Sequence, residues 1–142
     1  MIKFKGKSIE FKKFVFGRIV RDIDSGALMI NSDFELPELS KIEPSKCFAI
    51  HPVSCEINRT VMDKSINTAH VLIFNAGINS LCNSKIYLIK VKNQILLRRY
   101  VSITTLGYFT SDYPEQYQDI DASIHDLDDF IFGELILTLP LP

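Results

Sequence analysis

The residues of this chain that could do chemistry are few and scattered. Three histidines (His51, His70 and His125) and three cysteines (Cys47, Cys55 and Cys82) are spread over 142 residues. A zinc site needs such ligands at short, repeated spacing, and neither a CxxC pair nor a two-histidine helical spacing occurs. His125 stands among Asp121, Asp126, Asp128 and Asp129. That set could hold a hard cation, yet its spacing matches no EF-hand loop, and a solvated acidic loop is the plainer reading. A nucleophilic thiolate needs a basic neighbour or a helix start, and only Cys47, beside Lys46, has one. No phosphate-binding loop, dinucleotide fingerprint or serine nucleophile elbow is found. Asp128 and Asp129 could work as an acid/base pair only if the fold set carboxylates across a cleft. His70, between Ala69 and Val71, reads as a packed or half-buried histidine. No catalytic, cofactor-binding or metal-ligating residue is therefore expected, and the chain is not read as an enzyme.

The elements that would position any site are mostly strands. Ile9 to Val20 alternates in a strand pattern, with Gly17 marking a bulge or a close backbone approach. Asp24-Ser25-Gly26 is a turn signal, and Ala27 to Ile30 could pair back as a hairpin. Asn31 to Pro44 is polar and reads as a loop. Lys46 to Asn58 reads as a strand broken or bulged at Pro52, hence an edge strand or a kink, because proline cannot donate to a ladder. Thr68 to Phe74 is the cleanest strand, apolar enough to be covered on both sides. Residues 79–91 fit one short helix through Leu81, Lys85, Leu88 and Lys92, with Asn79 or Ser80 as cap. Gln94 to Leu106 is a strand, after which Gly107-Tyr108 turns the chain. Phe130 to Leu139 is a closing strand. The expectation is a mainly β, antiparallel barrel or sandwich of about six to seven strands with one short flanking helix, built as a single domain over 1–142.

Composition agrees with this. Hydrophobic residues make up 46% of the chain, rich in Ile, Val, Phe and Tyr, with no Trp. β-Branched and aromatic side chains suit a pleated, half-buried surface. No signal peptide or membrane-spanning run of about 18 apolar residues is expected. An odd number of cysteines points to a reducing compartment, with Cys47 and Cys55 able to pair only as neighbours across strands. The net charge of −1 hides an asymmetry. Residues 1–21 hold seven basic residues against Glu10, whereas residues 100–142 hold eight acidic residues and no Lys or Arg. Three readings follow. In one the two ends lie side by side and neutralise; in another they form unlike faces that associate head to tail; in a third the basic end meets nucleic acid, although no recognition motif accompanies it.

Ile57-Asn58-Arg59-Thr60, followed by Asn67–Asn75 (NTAHVLIFN), then Gly107-Tyr108, then Ile131-Phe132-Gly133-Glu134-Leu135, stand in an order that resembles the bacteriophage tail tube and baseplate hub superfamily. There a strand ending in an aromatic residue and Asn leads to a short helix, a strand near a Gly-Tyr pair and a closing strand with Phe-x-Gly. The resemblance spans roughly residues 55–138. Ala76-Gly77 stand where that superfamily usually has Leu-Ser, the segment between Tyr108 and Phe130 is long and acidic, and the region from Ala27 to Pro44 has no counterpart.

The resemblance implies a tube-like β domain assembled into a ring, expected as a homohexamer. Its role would be structural: tube, tube terminus or baseplate hub of a phage tail or a related contractile injection particle. Its partners would be its own copies and adjacent tail proteins, with no membrane and with DNA only as cargo in a channel. It would be assembled in the bacterial cytoplasm and reside in the virion tail. The alternative is an intracellular immunity or other binding protein that covers a basic partner with its acidic segment 112–134.

Overall fold

The computed structural model describes residues 2–3, 15–30, 34–36, 43–51, 66, 70–92, 94–112, 118–122 and 130–140. In chain order the strands are β1 (Ile2–Lys3), β2 (Val15–Arg21), β3 (Leu28–Ile30), β4 (Phe34–Leu36), β5 (Cys47–Ile50) and β6 (His70–Asn75). Then follow β7 (Ser80–Leu81), β8 (Ile86–Val91), β9 (Gln94–Ile103), β10 (Leu106–Thr110), β11 (Ile120–Asp121) and β12 (Ile131–Pro140). A 3-10 turn, Pro44–Lys46, precedes β5. Ten strands form one sheet in the order β11-β10-β9-β8-β12-β6-β5-β2-β3-β4, and β1 pairs separately with β7. Every pairing is antiparallel. The mainly β, antiparallel expectation holds. The barrel does not: among the described residues the sheet is not closed and β4 and β11 are its edges, and the strands outnumber the six or seven expected.

The centre of the sheet follows from its most apolar runs. Val71, Leu72, Ile73 and Phe74 of β6 are all fully buried, because β5 and β12 flank the strand and both faces are covered. Alternation then sorts side chains to two faces. On one face Phe48, Ile50, Leu72, Phe74, Leu88, Leu97 and Phe132 form a cluster in which the rings of Phe48 and Phe74 stack at 5.4 Å. On the other face Ile19, Leu28, Ile30, Ala49, Val71 and Ile73 cluster under β2 to β6. Tyr87, Ile89, Tyr100, Phe109, Phe130 and Ile131 cluster under β8 to β10. Each fully buried side chain of this size contributes about 1.5–3 kcal/mol relative to exposure.

β12 reaches both halves by irregular register. A bulge between Leu135 and Leu137 places Leu135 on the first face and lets both Ile136 and Leu137 pack with the β2–β6 cluster. A second shift between Ile131 and Gly133 leaves Gly133 opposite Leu88 of the first cluster, which Phe132 also joins, while Ile131 stays opposite Ile89 of the β8–β10 cluster. This explains why the sequence alternates imperfectly here. The bulge expected at Gly17 is present as a register shift between Val15 and Gly17. The expected hairpin is also present: Gly26 takes φ +77°, and β2 pairs β3.

Four expectations are corrected. Residues 79–91 are no helix but β7, a turn and β8. Tyr87, Leu88 and Ile89 are consecutive and all fully buried, which a helix with a single apolar stripe could not achieve, and Ser84 closes the turn at φ 71°. Asn31 to Pro44 is not wholly loop, since Phe34–Leu36 pairs with β3. β5 is no edge strand, because it lies between β6 and β2; Pro52 lies outside the described residues. Gly107 and Tyr108 lie within β10, and the chain reverses instead at Thr104-Thr105. Ile9–Phe14, Asn67–Ala69 and the Ile57–Thr60 segment also fall outside the described residues.

Candidate functional site

A polar row crosses the sheet where the two clusters of its second face meet. Register aligns Arg98 of β9 with Tyr87 of β8, Glu134 of β12, Asn75 of β6 and Cys47 of β5. Tyr87 is fully buried, so its hydroxyl must be satisfied internally. It accepts from the Cys82 amide at 2.7 Å and donates to Glu134 Oε1 at 3.1 Å. Burial first, and the Glu134 carboxylate to a lesser degree, hold its phenol above the ordinary range. Arg98 is also buried and donates from Nη1 to the Leu97 carbonyl at 2.8 Å. Asn75 accepts from the Gly77 amide at 2.8 Å. Burial, aided by the Glu43 carboxylate, pushes the Cys47 thiol up to about 11. Cys47 is therefore a protonated packing residue, and the nucleophile that Lys46 might have activated is not formed.

The row is structural; a concave feature lies beside it. The turn between β7 and β8 and the tip of the β9–β10 hairpin flank an open cavity of about 500 Å³. Leu81, Cys82 and Asn83 form one wall, Tyr100 and Ser102 the base, and Thr104, Thr105 and Leu106 the other wall. Backbone bonds fix the walls together: Ser84 donates to the Tyr100 carbonyl and Tyr100 to the Lys85 carbonyl, each at 2.8 Å. Arg99 locks the same corner. Its Nε and Nη2 each reach the Asp112 carboxylate at 3.1 Å, and its Nη1 donates to the Ser84 carbonyl at 2.9 Å. Such a two-pronged pair has fixed geometry and holds better than a single ion contact.

The lining carries no charged side chain. Tyr100 is 3% exposed and packs its ring on Phe109 at 5.4 Å. Its hydroxyl lies against Gly107, where an added Cβ would collide with it, so glycine is what makes room for the group. Burial alone raises its phenol. Asn83 Oδ1 accepts from the Ser102 amide at 3.0 Å, which leaves its amide nitrogen as the outward donor. Thr104, at φ 54°, is a β-branched residue in the left-handed region, a costly conformation that marks a constrained tip. The exposed apolar side chains of Ile103 and Leu106 flank it.

Of these lining residues the sequence marked only Cys82, as one of three cysteines, and Leu81, as part of an expected helix, because a helix over 79–91 hides the turn. Asn83-Ser84 between two apolar runs was the available signal. Among the described residues, no three His, Cys, Asp or Glu side chains come together. His51 follows β5 and His70 begins β6, opposite Pro140. His125, Asp126, Asp128, Asp129 and Cys55 lie outside the described residues.

The charge split is only partly preserved in space. Arg18 and Arg21 on β2 are separated from Asp119 and Asp121, at β11, by the six strands between β11 and β2, whereas β1 carries Lys3 onto β7. No helix among the described residues is long and apolar enough to cross a membrane. The fold defines the class as an antiparallel β protein built on one open sheet with a lined corner cavity. No protein-family profile, curated protein or solved structure matches the chain.

Proposed function

We propose that the chain is a structural, self-assembling component of a phage tail or a related contractile injection particle, forming a ring of the tube, tube-terminus or baseplate-hub kind. The observation that supports this reading is the unclosed sheet. β11 covers only Tyr108 and Phe109 of β10, and β4, three residues long, is the opposite edge. Open edges present unsatisfied backbone groups to a further strand. Two unlike edges favour a heterologous contact, which closes into a ring or stacks into a tube. The charges favour the same sense of joining, with exposed Arg18 and Arg21 towards one edge and Asp119 at the other. A hexamer resident in the virion tail, with DNA only passing through its channel, is the form the sequence resemblance suggests.

Light scattering and negative-stain microscopy at low and high salt test this. Rings or short tubes are expected, alone or templated by purified tail particles. A protein that stays monomeric at high concentration, with and without tail particles, would sink the proposal. A tight one-to-one complex with a basic protein would favour the immunity reading instead. Asp112 weakens that alternative, because its carboxylate is already held by Arg99.

A further inference from the structure

We infer that the cavity between the β7–β8 turn and the β9–β10 hairpin tip is a binding site for a small uncharged hydroxylated ligand, of monosaccharide to disaccharide size. This goes beyond the assembly role and does not rest on it. Its volume of about 500 Å³ lies within the range of small-molecule pockets, about 300–1,000 Å³. Its base holds a polar group that the fold places but does not use. Among the described residues no hydrogen-bond partner reaches the hydroxyl of Tyr100, although the residue is 3% exposed and lines the cavity. The hydroxyl is not sealed in the protein, so its proton is free to meet a ligand acceptor in the cavity.

A second donor is preset. Ser102 holds Asn83 Oδ1 through its backbone amide, so the Asn83 amide nitrogen can only donate. Thr104 spends its hydroxyl proton on the Ile103 carbonyl at 2.7 Å and so offers lone pairs to a ligand. The hydroxyls of Ser102 and Thr105 can serve as either donor or acceptor. Donors and acceptors are thus mixed, and Leu81 and Leu106 supply apolar walls. That combination matches a sugar, which has hydroxyls around its rim and C–H faces between them. An ionised ligand finds no opposite charge in the lining, and desolvating it there would be unfavourable.

Cys82 makes the test direct, because its thiol belongs to the cavity wall and is only half-buried. In a Cys55→Ser background, its reaction with a thiol reagent is followed while glucose, N-acetylglucosamine or maltose is added at millimolar concentrations. Amide chemical shifts are recorded alongside. Protection of Cys82, with shifts confined to residues 81–83 and 100–106, is the expected result. Tyr100→Phe removes only the hydroxyl, so its melting temperature should not fall, while sugar binding weakens about tenfold. Failure of every sugar to protect Cys82 would overturn the inference. So would equal binding by Tyr100→Phe, or equal or tighter binding of glucuronate or glucose 6-phosphate than of glucose.

Discussion

Cys47 shows how one buried residue couples to pH. Its thiol is 1% exposed, and burial raises it to about 11, above the value of about 8.5 for an unfolded cysteine. A group raised on folding stabilises fully below its unfolded value and loses that contribution as pH climbs towards its folded value. Denaturant unfolding should therefore show stability falling between about pH 8.5 and 10, a window below the ordinary tyrosine range. A Cys47→Ala variant should be less stable at neutral pH yet show a flatter decline. Tyr87 carries a different burden, since its hydroxyl joins the Cys82 amide to Glu134. Tyr87→Phe should cost about 1–3 kcal/mol by chemical denaturation, because it leaves an amide and a carboxylate less well paired. A smaller loss would mean that water replaces the hydroxyl. Neither residue was assigned such a role from sequence. Cys47 was noted for its lysine neighbour and for a possible pairing with Cys55, and Tyr87 not at all, because what buries them lies on other strands.

At the scale of elements, two backbone positions carry distinct costs. Gly133 of β12 sits so close to β6 that an added Cβ would lie 2.9 Å from the Asn75 carbonyl oxygen and 3.3 Å from the Phe48 ring. Backbone cannot step aside as a flexible side chain can. Gly133→Ala should destabilise by about 1–3 kcal/mol, seen as a lower denaturant midpoint with an unchanged slope. Thr104 is the reverse case. It occupies φ 54° in a two-residue turn between paired Ile103 and Leu106. Thr104→Asn should stabilise by about 1 kcal/mol, measured as a raised melting temperature, because asparagine tolerates the left-handed region. Strand existence was legible for β6, β9 and β12 from long β-branched and aromatic runs. The failure at 79–91 is equally physical. A leucine and lysine spacing of about four residues fits a helix when read alone, and only the burial of three consecutive side chains between β9 and β12 decides for a strand.

For the whole molecule, the sheet order turns a charge asymmetry of the sequence into a question of assembly. If heterologous joining uses that asymmetry, association should weaken with rising salt, since separated charges are screened within about 10 Å at 0.1 M ionic strength. Arg18→Glu and Asp119→Lys should each weaken association, and combining both in one chain should restore it, as sedimentation velocity would show. No restoration in the double variant would rule out a direct or near-direct pairing of these two regions.

Composition and pattern by themselves determined that the chain is an antiparallel β protein. β-Branched and aromatic content acts locally, and β6, β9 and β12 display it without help from the rest. The sequence also placed Gly17 at a bulge and Asp24-Ser25-Gly26 at a hairpin turn, again through local backbone requirements. Only tertiary structure decided that β12 inserts between β6 and β8, that the sheet stays open, and that Asn83, Tyr100 and Thr104 meet around one cavity. Those outcomes depend on pairings between strands far apart in the chain, and no period or spacing along a single segment encodes which distant partner completes a ladder.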